Sequence, residues 1–412
     1  MPQWPVHSPL PAPVAADRPL RRLVVPAFLP AAVFGIGQGA AAPLVALSAR
    51  ELGGSVAAAG AVVALLGLGQ VLGDLPAGRI VARVGERSAV LLGSAVGLVG
   101  VALSFVATSV PVLGLGVGLF GTASAVWGLA RQSYVVDAVP EAMRARALSA
   151  MAGLSRLGFL LGPFLGAAVV HLVGTRGGFL VQLVAVVAAG ALMAALPRLE
   201  HPPDAAGGRG RGRTGASLRA VVTAHSRVLR TLGAGALLMG AARASRTAVL
   251  PLWADHIGLD AVTTSMLFGI GAAVDVALSY PAGRWMDRRG RRGVAVVSLL
   301  VFAAAHVALP LTAGAVTLGV VAVLMGVGNG LSNGVIMTLG ADAAPVDARA
   351  EFLGAWRLCH DLGMLAGPAA IAMVSAAAAL GAAALAMGAV AGVGAAAMAR
   401  WVPRRPPRPR AI

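Results

Sequence analysis

Apolar residues run along this chain in long, nearly unbroken stretches rather than in the alternation of a half-buried strand. An α-helix rises about 1.5 Å per residue, so roughly 20 apolar residues cross the hydrocarbon core of a bilayer. Charges, prolines and turn residues break the runs and predict helices at about 23–48, 55–77, 88–108, 111–136, 147–173 and 177–197. A second set is predicted at about 231–255, 262–282, 293–312, 315–340, 351–376 and 379–400. The expected fold class is therefore an all-α membrane protein of twelve spanning helices. Residues 1–22 are polar and Pro-rich and read as a disordered cytoplasmic tail before an uncleaved first helix. Between the two sets lies one long polar stretch, 198–230, with Gly207-Gly208-Arg209-Gly210-Arg211-Gly212-Arg213 at its centre; it reads as a flexible cytoplasmic linker. The expected organisation is tail (1–22), six-helix half (23–197), linker (198–230), six-helix half (231–400) and basic cytoplasmic tail (401–412).

Composition supports a lipid-facing surface. Charged residues are 12% of the chain and hydrophobic types 58%, whereas soluble domains carry about 25% charged residues. All 33 basic residues are arginine, which with the abundance of Ala, Gly and Val suggests a GC-rich bacterial genome. The net charge of +17 would suit a nucleic-acid binder, but the arginines flank apolar runs instead of forming a basic domain with stacking aromatics. Nucleic acid is excluded as a partner on this ground, and membrane lipid is expected. With the N-terminus in the cytoplasm, Arg50 and Arg176 fall outside, and Arg156, Arg243, Arg246 and Arg357 fall within helices. All the others fall on the cytoplasmic side, which puts both termini inside the cell membrane. The single cysteine, Cys359, rules out an intramolecular disulfide and reads as packing.

The halves repeat. At a shift of 205 residues, Pro76-Ala77-Gly78-Arg79 matches Pro281-Ala282-Gly283-Arg284. Asp137-Ala138-Val139-Pro140 matches Asp342-Ala343-Ala344-Pro345, with Arg144 over Arg349, and Gly158, Gly162 and Pro163 match Gly363, Gly367 and Pro368. Pro43-Leu44 matches Pro251-Leu252 after a three-residue gap. Because each half holds an even number of spans, the copies share one orientation.

Two six-helix halves around a basic central loop resemble the major facilitator superfamily. That family carries Gly, three residues, Asp, a basic residue, any residue, Gly and two basic residues after its second helix, with a degenerate copy after the eighth. Here the second copy is complete in Gly283, Asp287, Arg288, Gly290, Arg291 and Arg292. The first copy has Gly78, Arg83, Gly85 and Arg87, but Ala82 replaces the Asp and Glu86 a base. The run Gly158-x-x-x-Gly162-Pro163 on the fifth helix partly resembles the antiporter motif of the drug:proton branch. The resemblance implies two six-helix pseudo-symmetric halves, secondary transport, a central cavity and a cytoplasmic latch at the loop motif with Asp287 as its acid. It also implies that the fifth helix packs on the eighth, and the second on the eleventh, across the two halves.

Ionisable groups at membrane depth are costly, roughly 2.5–3.5 kcal/mol on insertion scales, and should face a cavity or a partner. Arg243 and Arg246 share one face near the middle of the seventh helix, so they are expected either to bind an anionic substrate group or to neutralise an acid. The packing implied by the resemblance brings Arg156 toward Asp275, and Asp74 toward Arg357, with Asp361 one turn away as a local alternative. These five are the candidate gate and proton-coupling residues. Gln38, Gln70, Trp127, Gln132, Asn329 and Asn333 complete the expected substrate cavity, Trp127 being equally compatible with lipid. Gly-x-x-x-Gly-Pro reads first as a device for close helix packing and bending.

Three functions follow: proton-driven export of drug-like molecules, transport of an organic anion by a facilitator or symporter, and a membrane enzyme or receptor. The last lacks support, since no Gly-x-x-x-x-Gly-Lys loop, His-Glu-x-x-His site or soluble domain is present. No cofactor, metal or catalytic residue is expected. The expected partners are a small-molecule substrate and a coupling proton, and the expected state is a monomer.

Overall fold

A computed structural model describes residues 24–140, 143–195, 218–345 and 348–403. Among these residues every regular element is helical. After a π-helical turn at Val24–Phe28, α1 runs over Leu29–Glu51, interrupted at Ala42-Pro43. The 51-residue Val56–Val106 stretch is two arms joined at Gly85, α2 (56–84) and α3 (86–106). Then come α4 (Val110–Ala138), α5 (Arg144–Val173) and α6 (Arg176–Ala194). The second half holds α7 (Ala234–His256), α8 (Ala261–Arg289), α9 (Arg291–Ala308), α10 (Ala315–Ser332 and Val335–Ala343), α11 (Arg349–Ala377) and α12 (Leu380–Trp401). Ten of the described helices are long and apolar enough to cross a membrane. The turn at Gly85 makes two spans of one of them. The twelfth is α7, whose Arg243, Arg246 and Asp255 lower its apolarity.

The helices extend beyond the apolar runs. α2 continues seven residues past the expected end at 77, and α8 seven past 282, so the arginine-bearing motif is helical up to Gly85 and Gly290. A helix emerging from lipid loses nothing by staying helical in the headgroup zone, where arginine is welcome. It ends where the backbone must turn: Gly85 (φ 77°, ψ 165°) and Gly290 (φ 89°, ψ 165°) occupy a region that side chains disfavour. The end carrying these turns is called the basic end below. The expected linker also changes: its last part forms short helices, Leu218–Ala224 and Ser226–Val228, with Val221 buried and His225 edge-on to Phe352 of α11. Its glycine-rich centre, residues 1–23 and residues 404–412 lie outside the described residues.

The repeat is visible in the backbone. Gly53 and Gly258 take φ 82° and 77°, and Ser55 and Asp260, 205 positions apart, cap α2 and α8. Packing pairs are duplicated too: α1 with α5 and α7 with α11, α4 with α2 and α10 with α8, α3 with α6 and α9 with α12. The first pair depends on glycine. A Cβ on Gly158 or Gly162 would strike the carbonyl oxygens of Ala32 and Ile36, and one on Gly363 or Gly367 those of Leu237 and Ala241. Pro163 and Pro368 follow directly inside α5 and α11.

Asp260 provides a modest, separable test. Its carboxylate accepts from the Thr263 backbone N–H at 2.8 Å and from the Thr263 hydroxyl at 2.8 Å, and these bonds hold its pKa below the usual value. Asp260→Ala should lower stability by about 1 kcal/mol, the typical worth of an N-cap. A depressed folded-state pKa means that this contribution is present above the unfolded pKa and fades as pH falls through the folded one. Thermal melts of both proteins should therefore converge at acid pH; a constant gap would reject the cap as its source.

Candidate functional site

The halves meet along α2 with α11 and α5 with α8. Away from the basic end the seam is closed. Leu44 and Leu47 of α1, with Val170 of α5, pack on Ala261 and Val262 of α8. Arg50 Nε donates to Asp255 Oδ2 at 2.9 Å across the seam, and Arg50 Nη1 to the Gly54 carbonyl at 2.7 Å. The Leu44–Glu51 piece of α1 also touches α7.

Midway along the seam lies a cavity of about 330 Å³. Gln38, Gln70, Arg156 and Gln182 reach it from the first half, and Arg243, Arg246, Asp275, Asn329 and Asn333 from the second. Phe120, Phe159, Phe179, Val45, Val63 and Met364 supply an apolar wall. The polar groups are placed by a break in α10. Asn333 leaves the helical region (φ −61°, ψ 126°) and Gly334 takes φ 82°, so the amides of Asn329 and Asn333 both turn to α8. Asn329 Nδ2 donates to Asp275 Oδ2 at 2.5 Å, and Asn333 Nδ2 to Asp275 Oδ1 at 2.5 Å and to Ser279 Oγ at 2.7 Å. Arg243 Nη2 donates to Asn333 Oδ1 at 3.1 Å. Arg246 is 4% exposed and lies over the Phe268 ring at 4.8 Å, while its Nε and Nη1 find no hydrogen-bond partner.

Several sequence expectations need correction. Arg156 and Asp275 share the cavity wall without an ion pair among the described residues, and each carboxylate oxygen accepts from an asparagine amide. Trp127 is buried away from the cavity, stacked on Phe34 at 4.0 Å between centroids. Gln132 is exposed. The buried polar residue of that turn is its neighbour Arg131, whose guanidinium covers Trp127 at 4.6 Å. Gln182 was missed, although a lone amide in the apolar α6 is itself a signal. Asp74 and Arg357 approach to 3.8 Å, and Arg357 Nε donates to Asp361 Oδ2 at 3.3 Å; all three lie outside the cavity wall.

The loop motif bonds within each half. Arg291 Nε meets Asp342 Oδ2 at 2.9 Å, joining α9 to α10. At the equivalent position the first half has Glu86, which accepts from Ser133 at 3.5 Å, while Arg87 donates to the Ala194 carbonyl. Asp287 is exposed and makes no ion pair among the described residues. Arg83 and Arg288 are exposed, Gly78 and Gly283 have open space where a side chain would go, and Arg292 is half-buried. Among the described residues no cluster of metal-ligating side chains occurs.

Solved structures share this architecture. The nucleoside transporter NupG, as a mutant, superposes with a TM-score of 0.73 at 14% identity, over 91% of this chain and 99% of that one. A POT family transporter in complex with a thioalcohol conjugated peptide gives 0.73 at 12% identity, over 91% and 95%. The xylose transporter XylE from E. coli, in an inward open conformation, gives 0.69 at 16% identity, over 92% and 97%. At such identities the likeness concerns the fold alone. No similar sequence was found among curated proteins. The Major Facilitator Superfamily model matches residues 27–368, and again residues 232–412, the second match beginning where the second half begins. Two duplicated six-helix halves, a polar cavity on their seam and this match together place the chain in the major facilitator superfamily, as a membrane-spanning secondary transporter.

Proposed function

We propose that this chain moves a small molecule across a bacterial cell membrane by alternating access, linked to a proton at Asp275. The observation that carries this reading is a polar cavity on the seam of two like halves, closed at one end by the Arg50–Asp255 contact. Rocking the halves about α2–α11 and α5–α8 would open that end and close the other. The positive-inside rule puts the basic end and both termini in the cytoplasm, so the cavity here is shut toward the outside. Asp275 suits proton coupling because it is the single carboxylate in the cavity wall and shares Asn333 with Arg243. Protonation removes one acceptor site from that network and so changes how firmly Arg243 is held.

Export by proton antiport is the sequence-level expectation, and it rests on the Gly158-x-x-x-Gly162-Pro163 run. Both glycines of that run pack α5 on α1, and their counterparts pack α11 on α7. The run is thereby accounted for without a role in coupling.

Alternating access is tested at the outer seal. Cysteines at positions 50 and 255, in a Cys359→Ala background, would be bridged by a cleavable bifunctional thiol reagent. The bridged protein should lose transport and regain it on cleavage. Full transport while bridged would end the reading. Neutralising the pair should do far less, since a half-exposed ion pair contributes about 0.2–1 kcal/mol, at most about a fivefold shift between states.

A further inference from the structure

We infer that the cargo is an organic anion with an apolar body, its acidic group held at Arg246 and Arg243 and its body against the phenylalanine wall; this rests on the transport reading above. The cavity wall holds three arginines, Arg156, Arg243 and Arg246, against one carboxylate. Asp275 is the obvious counter-ion, yet it is held by two neutral amides and bonds to none of the three. Arg246 keeps two nitrogens unpartnered although it is 4% exposed, and Arg243 makes one side-chain bond, to Asn333. Arg156 makes no ion pair among the described residues. A cation withdrawn from water without a partner is expensive to maintain. Arg246 is in that position, buried with two nitrogens unpartnered, and the half-buried Arg243 and Arg156 add their charges to the same cavity, so an anion there would meet three guanidinium groups.

The geometry specifies more than charge. Guanidinium groups offer planar pairs of N–H donors that match the paired oxygens of a carboxylate, sulfonate or phosphate. Arg246 lies over the Phe268 ring at 4.8 Å, a contact that uses none of its N–H donors. Phe120, Phe159, Phe179 and Met364 line the same cavity and offer nothing to a second charge. An inorganic anion would satisfy the arginines and leave this wall wet; an aromatic or branched anion covers both.

The test uses purified full-length protein and a matched set of probes: 1-naphthoate, 1-naphthalenesulfonate, 1-naphthyl phosphate, 1-naphthylmethylammonium, 1-naphthalenemethanol, acetate and inorganic phosphate. A compound that binds only the folded form raises the melting temperature. At least one naphthyl anion should do so, with the ammonium, the alcohol, acetate and phosphate far weaker. Arg246→Met keeps the side-chain volume and removes the charge. It should melt no lower than the parent and bind the anion about ten- to a hundredfold more weakly, the worth of one charge-assisted hydrogen bond. Arg243→Met should weaken binding similarly, so the question does not hang on one variant. Equal stabilisation by the ammonium or the alcohol would overturn the proposal. So would anion binding undiminished in both variants, or no stabilisation by any naphthyl anion. The cross-linking test at positions 50 and 255 reads whether transport of any carried compound stops and returns, whatever its charge, so failure here with success there refutes the cargo class and leaves the transport reading standing.

Discussion

Asp275→Asn is expected to abolish concentrative transport while leaving a folded protein. A proton crossing about 100 mV carries about 2.3 kcal/mol, enough to sustain roughly a fiftyfold gradient of a cargo coupled one to one. Without a carboxyl group in the cavity, that ratio should fall to unity, because substrate can still equilibrate but nothing ties it to the proton. The substitution also sets an amide where Asn329 and Asn333 both donate. One of three Nδ2 groups must then turn away, which costs about 1–3 kcal/mol if the donor stays dry. A modest drop in melting temperature should therefore accompany the loss. Proteoliposomes with an imposed pH gradient, supplied with a transported compound, measure the ratio. Accumulation equal to that of the parent would remove Asp275 from coupling, whatever happens to stability.

Gly363→Val should cost more in folded protein than any charge change described here. Its side chain would drive into the Leu237 carbonyl and the Ala241 backbone, which are helix main chain and cannot move aside. Overpacking of this kind costs about 1–3 kcal/mol where side chains can yield, and more where they cannot. Gly158→Val meets the equivalent main chain of α1 and should fail alike, whereas Gly283→Ala, with open space around it, should be silent. Folded yield after solubilisation and the melting temperature of what remains give the comparison. Normal yield of Gly363→Val would mean that α7 and α11 are not so closely apposed in the membrane.

The helices and the duplication were readable because lipid permits few backbones: a spanning segment must satisfy its own hydrogen bonds and show an apolar surface. That rule governs depth, and it weakens at the bilayer surface, which is why α2 and α8 outran their apolar runs. It also says little about rotation. In α4, apolar nearly all round, nothing in the sequence distinguishes the face of Trp127 and Gln132 from that of Arg131. In α7, α8 and α10 the polar residues themselves marked the face, so Arg243, Arg246, Asp275, Asn329 and Asn333 were identified and are found together. Which of them would touch was beyond reach. It depends on the break at Gly334, which sends two amides to Asp275 ahead of any arginine.

The contact between Arg50 and Asp255 bears on the symmetry of the two halves. The two positions are 205 residues apart, the repeat length, and the capped turns at Ser55 and Asp260 show them to be the same place in each half. In an assembly of two identical six-helix subunits related by a twofold axis, that place would face its own copy. A charge there would then repel itself, and an ion pair could not exist. Joining the subunits into one chain frees the two copies to diverge, one to arginine and the other to aspartate. The seal thus needs two halves that differ at this position, a condition that the diverged copies in this chain meet and that identical subunits could not.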